Sequence, residues 1–147
     1  MNFKNISDKT VCDCFQDAVQ DNINTFVRRV RKSDSLNDSD FRNHIERGKT
    51  PQNEDDCEEV CGLYGLSFEL WNDESSKLLM EKYLTTATFK PRDKRNLCVV
   101  RFLAESGYVK YTPNQTEYNE YHYDFYKEDS FNITKLELVE MIPLVVA

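Results

Sequence analysis

The stretch EYNEYHYDFY, residues 117–126, says most about the fold of this chain. Four of its ten residues are tyrosine, and it also holds a phenylalanine and one of the two histidines. Aromatic residues favour β-strands, and successive side chains of a strand point to opposite faces. One face is aromatic and predicts packing against a core, through Tyr121, Tyr123 and Phe125. The other face is polar and consists of Glu120, His122, Asp124 and Tyr126.

Further strand-like segments lie on both sides of this stretch. They are LCVVRFLA at residues 97–104, GYVKY at 107–111 and ITKLELVEMIPL at 133–144, with turn-forming residues between them. Strands that follow one another through short links are usually antiparallel neighbours. The C-terminal half is therefore predicted to be an antiparallel β-meander of about four strands.

The N-terminal half shows helical periodicity instead. Apolar residues recur at helical spacing over residues 8–32, and shorter helices are predicted over 41–47, 54–61 and 73–84. Only LSFELW, residues 66–71, has a strand pattern there. The predicted fold class is α+β: one domain over residues 1–147, with N-terminal helices (about 1–90) packed on the C-terminal β-meander (about 91–147).

Composition limits the classes of function. The chain has 147 residues and a net charge of -7. A generic nucleic-acid binder is basic because it neutralises phosphates, so this charge argues against that class. Acidity suits a basic protein partner and also keeps a protein soluble. The longest apolar runs are far shorter than a bilayer is thick, and no membrane partner is predicted.

Cysteine usage predicts the compartment. The first residues, MNFKNISDKTVCDCF, contain no basic segment followed by an apolar core, so no secretion signal is predicted. Without such a signal we expect reduced thiols and a cytoplasmic protein. The five cysteines are Cys12, Cys14, Cys57, Cys61 and Cys98.

A zinc site is one hypothetical use of these cysteines. Cys57 and Cys61 lie one helical turn apart and share a face, and His44 supplies a third zinc-binding side chain. Cys12 and Cys14 would point to opposite sides of a helix and so would not share one ion. The simpler interpretation is that the cysteines are small buried side chains and that the protein has no cofactor.

His122 is the candidate catalytic residue. An imidazole titrates near neutral pH, and a neighbouring carboxylate such as Asp124 orients it for acid–base chemistry. Tyr126 lies on the same predicted face and completes the candidate catalytic set. The competing interpretation is a solvated polar face on a sheet whose other side is covered.

Two basic clusters stand out from the acidic background as candidate binding residues. The first closes the predicted N-terminal helix and contains Arg28, Arg29 and Arg31. The second lies in a predicted loop and contains Arg92, Lys94 and Arg95. Either cluster predicts contact with an anionic group.

Three functional hypotheses follow. The preferred one is a small acidic protein-interaction module (an accessory, adaptor or inhibitor protein) without its own catalysis, whose contact surface is the tyrosine-rich strand or the loop at residues 85–96. The first alternative is a small hydrolase or nucleotide- or nucleic-acid-modifying enzyme that uses His122 with Asp124 and Tyr126. The second is a zinc-stabilised domain. The chain contains no Gly-rich phosphate loop and no Gly-x-Ser-x-Gly motif.

Overall fold

A six-stranded antiparallel sheet dominates the protein. The computed structural model describes residues 12–31, 33–89, 96–113 and 120–144, and of residues 86–89 only the backbone. The strand order is β4-β5-β2-β1-β3-β6. The elements are β1 (Thr25–Val30), α1 (Cys57–Tyr64), β2 (Leu66–Trp71), α2 (Ser75–Phe89), β3 (Asn96–Phe102), β4 (Gly107–Tyr111), β5 (His122–Lys127) and β6 (Leu136–Pro143), with 3-10 helices at Asp38–Phe41 and Ile133–Lys135.

The predicted N-terminal helix over residues 8–32 is wrong. Residues Thr25–Val30 form β1, a central strand that pairs with β2 on one side and with β3 on the other. Phe26 and Val27 are both buried although they point to opposite faces, because both faces of the sheet are covered. A strand buried on two faces loses its apolar–polar alternation, and its apolar positions then imitate helical spacing.

The predicted meander is wrong as well. β4 and β5 are neighbours, but β3 lies between β1 and β6, far from β4 in the strand order. The fold is thus not a set of N-terminal helices packed on four C-terminal strands, because the N-terminal half contributes β1 and β2 to the centre of the sheet. The short link between β3 and β4 predicted that these two strands are neighbours. Instead, β3 pairs with β1 and β6, and β4 pairs with β5.

Strong curvature explains how residues 103–106 alone can join β3 to β4. Phe102 of β3 and Phe125 of β5 have stacked rings with centroids 4.1 Å apart. In a flat sheet three strand spacings would separate these strands by about 14 Å. The sheet is therefore curled around a concave face, which is filled by aromatic rings that include Phe26, Phe68 and Phe131.

The opposite face of the sheet is covered by the two helices, and we call it the helical face. Leu79 and Tyr83 of α2 pack on Val27, Leu97 and Val99. Val60 and Tyr64 of α1 pack with Tyr126, and Phe15 of the N-terminal segment lies edge-on to the same tyrosine. Both faces are thus packed.

Polar side chains cap the N-terminal ends of both helices. The Asp56 carboxylate accepts a hydrogen bond from the Glu59 N–H, and α1 begins at Cys57 rather than at residue 54. Asn72 Oδ1 accepts from the N–H groups of Glu74 (2.9 Å) and Ser75 (2.8 Å), which confirms Asn72 as a cap. In place of the predicted helix over residues 41–47, the chain forms a 3-10 turn and a loop.

Two disulfides join the N-terminal segment to α1. Cys12 bonds to Cys57 and Cys14 to Cys61, with Cα–Cα distances of 5.4 and 5.3 Å. The predicted cytoplasmic location with reduced thiols is therefore wrong, since paired cysteines point to an oxidising compartment. Cys57 and Cys61 share one helix face, as predicted, but their sulfurs are bonded to other cysteines and are not zinc ligands.

No helix among the described residues is long and apolar enough to cross a membrane.

Candidate functional site

Three arginines from separate segments surround one cavity, which we call the arginine pocket. Its volume is about 290 Å³. Arg31 comes directly after β1, Arg42 follows the Asp38–Phe41 helix, and Arg47 lies in the next loop. Ser39 and Asp40 complete the lining. The pocket concentrates positive charge on a chain whose net charge is -7.

Buried anchors hold the segment that carries Arg42 and Arg47. Phe41 is buried in the concave face and stacks on Phe68 with centroids 6.3 Å apart. Asn43 Nδ2 donates to the carbonyl of Tyr64 at 3.2 Å, which ties the segment to α1. These contacts position Arg42 and Arg47, although neither residue lies in a helix or a strand itself.

An ion pair between Lys127 of β5 and Glu46 also holds the segment that carries Arg42 and Arg47. Lys127 of β5 is 5% exposed, and its ammonium group pairs with the Glu46 carboxylate. It also donates to the Phe41 carbonyl at 2.8 Å and lies over the Phe131 ring. A buried ammonium group needs such partners, because desolvation penalises an isolated charge.

Arg28 lies beneath the arginine pocket. Its Nε donates to the Asp40 carbonyl and its Nη1 to the Ser67 carbonyl, both at 2.9 Å. The pKa of Arg28 is lowered to about 10, chiefly by burial, and the like charge of Arg47 contributes to this lowering while the charge of Asp40 opposes it. The guanidinium is therefore still charged at neutral pH, and both hydrogen bonds go to neutral carbonyl groups.

Asp40 is the acidic member of the lining. It is buried, and its Oδ1 accepts a long hydrogen bond, 3.4 Å, from the Arg31 N–H. Within the described residues, neither Arg42 nor Arg47 has a carboxylate within ion-pair distance. Asp40 is thus the acidic residue among the described residues that line the arginine pocket with Arg31, Arg42 and Arg47.

The predicted binding residues are distributed as follows. Arg31 lines the arginine pocket and Arg28 lies under it, whereas Arg29 points to the other face of β1, towards Tyr83. The second cluster, Arg92, Lys94 and Arg95, lies outside the described residues. Sequence reasoning missed Arg42 and Arg47, although both stand in the basic stretch FRNHIERGK at residues 41–49.

Asp124 and Tyr126 line a second cavity, the Asp124 pocket, of about 320 Å³ between α1 and the strands β4 and β5. Cys57 and Cys61 form part of its wall, and Lys110 lies opposite Asp124 in the strand register. Asp124 is 3% exposed and Tyr126 1% exposed. Burial raises the pKa of Tyr126, and the charge of Asp124 raises it further, so the phenol stays neutral.

His122 lies on the same face of β5 but does not line the Asp124 pocket. It is 7% exposed, so the predicted solvated polar face is wrong here. Its Nδ1 lies 2.7 Å from Thr112 Oγ1 and 3.1 Å from the Thr112 carbonyl. A carbonyl can only accept, so the second contact is a hydrogen bond when Nδ1 carries the proton.

Glu69 is the titratable residue opposite His122 in the strand register. Its Oε1 accepts from Tyr83 Oη at 2.7 Å and from Lys82 Nζ at 2.9 Å. Its Oε2 is buried and has no hydrogen-bond partner in the described part of the chain. Burial lowers the pKa of His122, more than the Glu69 charge raises it, so the imidazole is neutral near pH 7.

His44 lies apart from any recognisable metal site. Its backbone N–H donates to the Leu63 carbonyl at 3.1 Å. Across the ranges that the structure describes, no group of three or more His, Cys, Asp or Glu side chains is arranged to hold a metal ion.

No protein-family model, no curated protein and no solved structure matches this chain.

Proposed function

We propose that this protein is a non-catalytic interaction module that binds an acidic group of a partner protein in the arginine pocket. The convergence of Arg31, Arg42 and Arg47 carries this proposal. Arginine is favoured at protein interfaces, where its guanidinium forms paired hydrogen bonds with carboxylate and phosphate groups. Buried anchors on both sides of the pocket support it, because a preformed site loses little entropy on binding.

The two disulfides fit this role. They link a short N-terminal segment to α1 and constrain a domain of modest size. Binding modules of oxidising compartments commonly rely on such links for stability. The net charge of -7 disfavours the approach of acidic molecules to the chain as a whole and so favours their approach at the arginine pocket.

A binding titration tests this function. Fluorescently labelled acidic peptides, which carry glutamate or phosphoserine in a Gly-Ser background, are titrated with the protein at low salt and followed by anisotropy. We expect saturable binding that weakens with added salt and with Arg42→Glu or Arg47→Glu. Lys77→Glu on the exposed face of α2 makes the same change in charge away from the pocket and is the control. If no acidic peptide binds, or if all three variants bind alike, the proposal fails.

A catalytic function of His122 is the second candidate, and the Glu69 carboxylate favours it. Glu69 has a buried oxygen without a hydrogen-bond partner among the described residues and faces the strand that carries His122. A neutral imidazole beside a carboxylate is the arrangement of a general base. Hydrolysis of p-nitrophenyl esters and phosphates is the direct test, with His122→Gln as the comparison. Turnover equal in both proteins, or no turnover above background, removes this candidate.

A further inference from the structure

We infer that Asn132 is an attachment site for an N-linked glycan. It begins the triplet Asn132-Ile133-Thr134, which matches the acceptor motif Asn-x-Ser/Thr with a middle residue other than proline. A glycan is bulky and hydrophilic, so an acceptor asparagine has to lie at the surface of the folded protein. The inference goes beyond the function proposed above and does not depend on it.

The two disulfides supply the compartment that this modification needs. Cys12 is bonded to Cys57 and Cys14 to Cys61, which points to an oxidising compartment. The lumen of the endoplasmic reticulum is such a compartment, and proteins on the secretory route receive N-linked glycans. In a chain with reduced thiols the same triplet would carry no weight, because it would not meet the glycosylating enzyme.

The fold presents the acceptor side chain to solvent. Asn132 and Thr134 are exposed, whereas Ile133 between them packs against the core of the concave face. The buried residues Phe131 and Leu136 hold the segment on both sides. A sugar attached to Asn132 therefore extends into solvent without displacing any core side chain.

The side chain of Asn132 is oriented with its oxygen towards Thr134. Its Oδ1 caps the Ile133–Lys135 helix by accepting a hydrogen bond from the Thr134 N–H at 2.9 Å, and it also accepts one from the Thr134 hydroxyl. Its Nδ2 donates no hydrogen bond to another described residue. The amide nitrogen, which is the atom that carries a glycan, is thus the open end of the side chain, and the hydroxyl that the motif requires lies against the same amide.

The reaction needs a sugar donor and no redox partner. The donor is an oligosaccharide joined through its anomeric carbon to a lipid pyrophosphate. Nδ2 of Asn132 forms a bond to that carbon as the bond from the carbon to the pyrophosphate oxygen breaks. The lipid pyrophosphate leaves with the electron pair, and the amide nitrogen gives up one proton.

The triplet Asn37-Asp38-Ser39 is the other match among the described residues, and it is less favourable. Its asparagine is exposed, but the amide nitrogen donates a long hydrogen bond, 3.4 Å, to the Ser35 carbonyl. Asp38 Oδ1 accepts from the Ile133 N–H at 3.3 Å, so the two triplets are in contact. Two bulky glycans on touching segments would compete for space, and we expect the higher occupancy at Asn132.

A glycan at Asn132 would stand close to the arginine pocket. The contact between Ile133 and Asp38 places the triplet beside the segment that contributes Ser39 and Asp40 to the pocket lining. A partner protein that docks at the pocket therefore has to accommodate the sugar at its border.

Site-specific mass spectrometry tests this inference. The full chain is fused to a cleavable secretion signal and produced in cultured eukaryotic cells. The secreted protein is treated with peptide N-glycosidase in heavy-oxygen water, which converts a glycosylated asparagine into a labelled aspartate, and is then digested with trypsin. We expect the label at Asn132 in most molecules and a weaker label at Asn37. Peptides that contain Asn5 and Asn114 are measured separately.

A matched pair of variants connects the label to the motif. Thr134→Val removes the hydroxyl but keeps the size of the side chain and the N–H that donates to Asn132, and it should abolish the glycan. Thr134→Ser keeps the hydroxyl and should retain the glycan. Thr134 is exposed, so circular dichroism should show both variants folded. Asn132→Gln would also remove the helix cap and is the less selective change.

The possible results separate clearly. Secreted protein without the label at Asn132 overturns the inference, as does a label that persists in Thr134→Val. Stronger labelling at Asn37 than at Asn132 overturns the argument from side-chain orientation. If the cells retain the chain, its translation into microsomes from the endoplasmic reticulum gives the same decision: a size shift that glycosidase reverses is expected in the wild type, and no difference between wild type and Thr134→Val overturns the site.

Discussion

Gly65 shows how one missing side chain positions a candidate functional residue. It follows α1 and lies against Asp124, so closely that a Cβ added at Gly65 would stand 2.9 Å from the Asp124 Cβ and Cγ. The backbone of Gly65 has an ordinary φ of -82°, so the requirement is space rather than conformation. Gly62 lies in α1 with nothing within 4 Å of an added Cβ.

We therefore expect opposite effects of alanine at these two glycines. Gly65→Ala should lower the free energy of unfolding by about 1–3 kcal/mol, since packed interiors do not accept an extra methyl group. Gly62→Ala should raise it by about 0.5–1 kcal/mol, because alanine favours a helix. Urea denaturation of both variants measures the difference. Equal stability of the two would show that Asp124 does not pack against Gly65.

His122 makes the stability of the protein depend on pH. Burial lowers its pKa in the folded state below the ordinary value of about 6.5, which the unfolded chain retains. The unfolded state therefore binds more protons between those two values, and stability falls as the pH drops below about 6.5. His122→Gln should reduce the loss of melting temperature between pH 7.5 and pH 5. The same loss in both proteins would contradict the burial of His122.

At the scale of elements, the two disulfides join an irregular N-terminal segment to one face of α1. Cysteines two apart in an extended chain lie about 6–7 Å apart on one side, and residues four apart in a helix have a similar separation. Cys12 and Cys14 therefore align with Cys57 and Cys61 of α1. The two-residue spacing of Cys12 and Cys14 argued against a shared metal ion only because a helix was predicted over these residues.

Removing the Cys14–Cys61 disulfide should destabilise the protein more than removing the Cys12–Cys57 disulfide. The bonds span sequence separations of 45 and 47 residues, and the loss of either typically costs about 2–4 kcal/mol. Cys14 and Cys61 are buried, whereas Cys57 is exposed, so Cys14→Ala/Cys61→Ala also loses packing. Thermal unfolding of this variant and of Cys12→Ala/Cys57→Ala compares the two losses.

A labelling experiment serves as the control for these disulfide variants. Cys98 is a buried free thiol, and burial raises its pKa to about 12, so it is unreactive in the folded protein. Alkylation after unfolding without reductant should modify one thiol per chain, and all five after reduction. Five modified thiols without reductant would contradict both bonds.

At the scale of the whole molecule, curvature brings distant strands together. Phe102 and Phe125 belong to strands separated by β1 and β2, yet their rings stack at 4.1 Å. The close approach of β3 and β5 allows a short link between β3 and β4. The same concave face buries Phe41, which holds the segment that carries Arg42.

A double-mutant cycle tests the curvature. Phe102→Leu and Phe125→Leu should show a coupling energy of about 0.5–1.5 kcal/mol, as expected for rings in contact. Phe102→Leu and Leu79→Ala lie on opposite faces of the sheet and should be additive. The free energies of unfolding come from chemical denaturation. Additive effects of Phe102 and Phe125 would show a flatter sheet.

The elements differ in how far the sequence predicted them. The strand predicted at residues 66–71 is confirmed as β2, and the alternation of Tyr123 and Phe125 against His122 and Asp124 is confirmed in β5. Both patterns are local, because the geometry of a strand sets them residue by residue. β1 escaped prediction because packing on both faces removed that pattern.

The candidate site depended even more on tertiary contacts. Arg31 was predicted to bind an anion, but its partners Arg42 and Arg47 were not, because the three meet only when the Asp38–Phe41 helix packs against β1 and β5. His122 and Asp124 were grouped correctly on one face, but they have different neighbours: His122 lies opposite Glu69 in the strand register, and Asp124 lines a pocket with Tyr126.

By itself, then, the sequence determined the Asn72 cap, the alternation of β2 and β5, and the shared face of Cys57 and Cys61. The tertiary structure alone decided the strand order, the cysteine pairing and the meeting of the arginines. The physical reason is range: alternation and capping depend on a few neighbouring residues, whereas strand order, disulfide partners and pockets depend on packing between residues far apart in the chain.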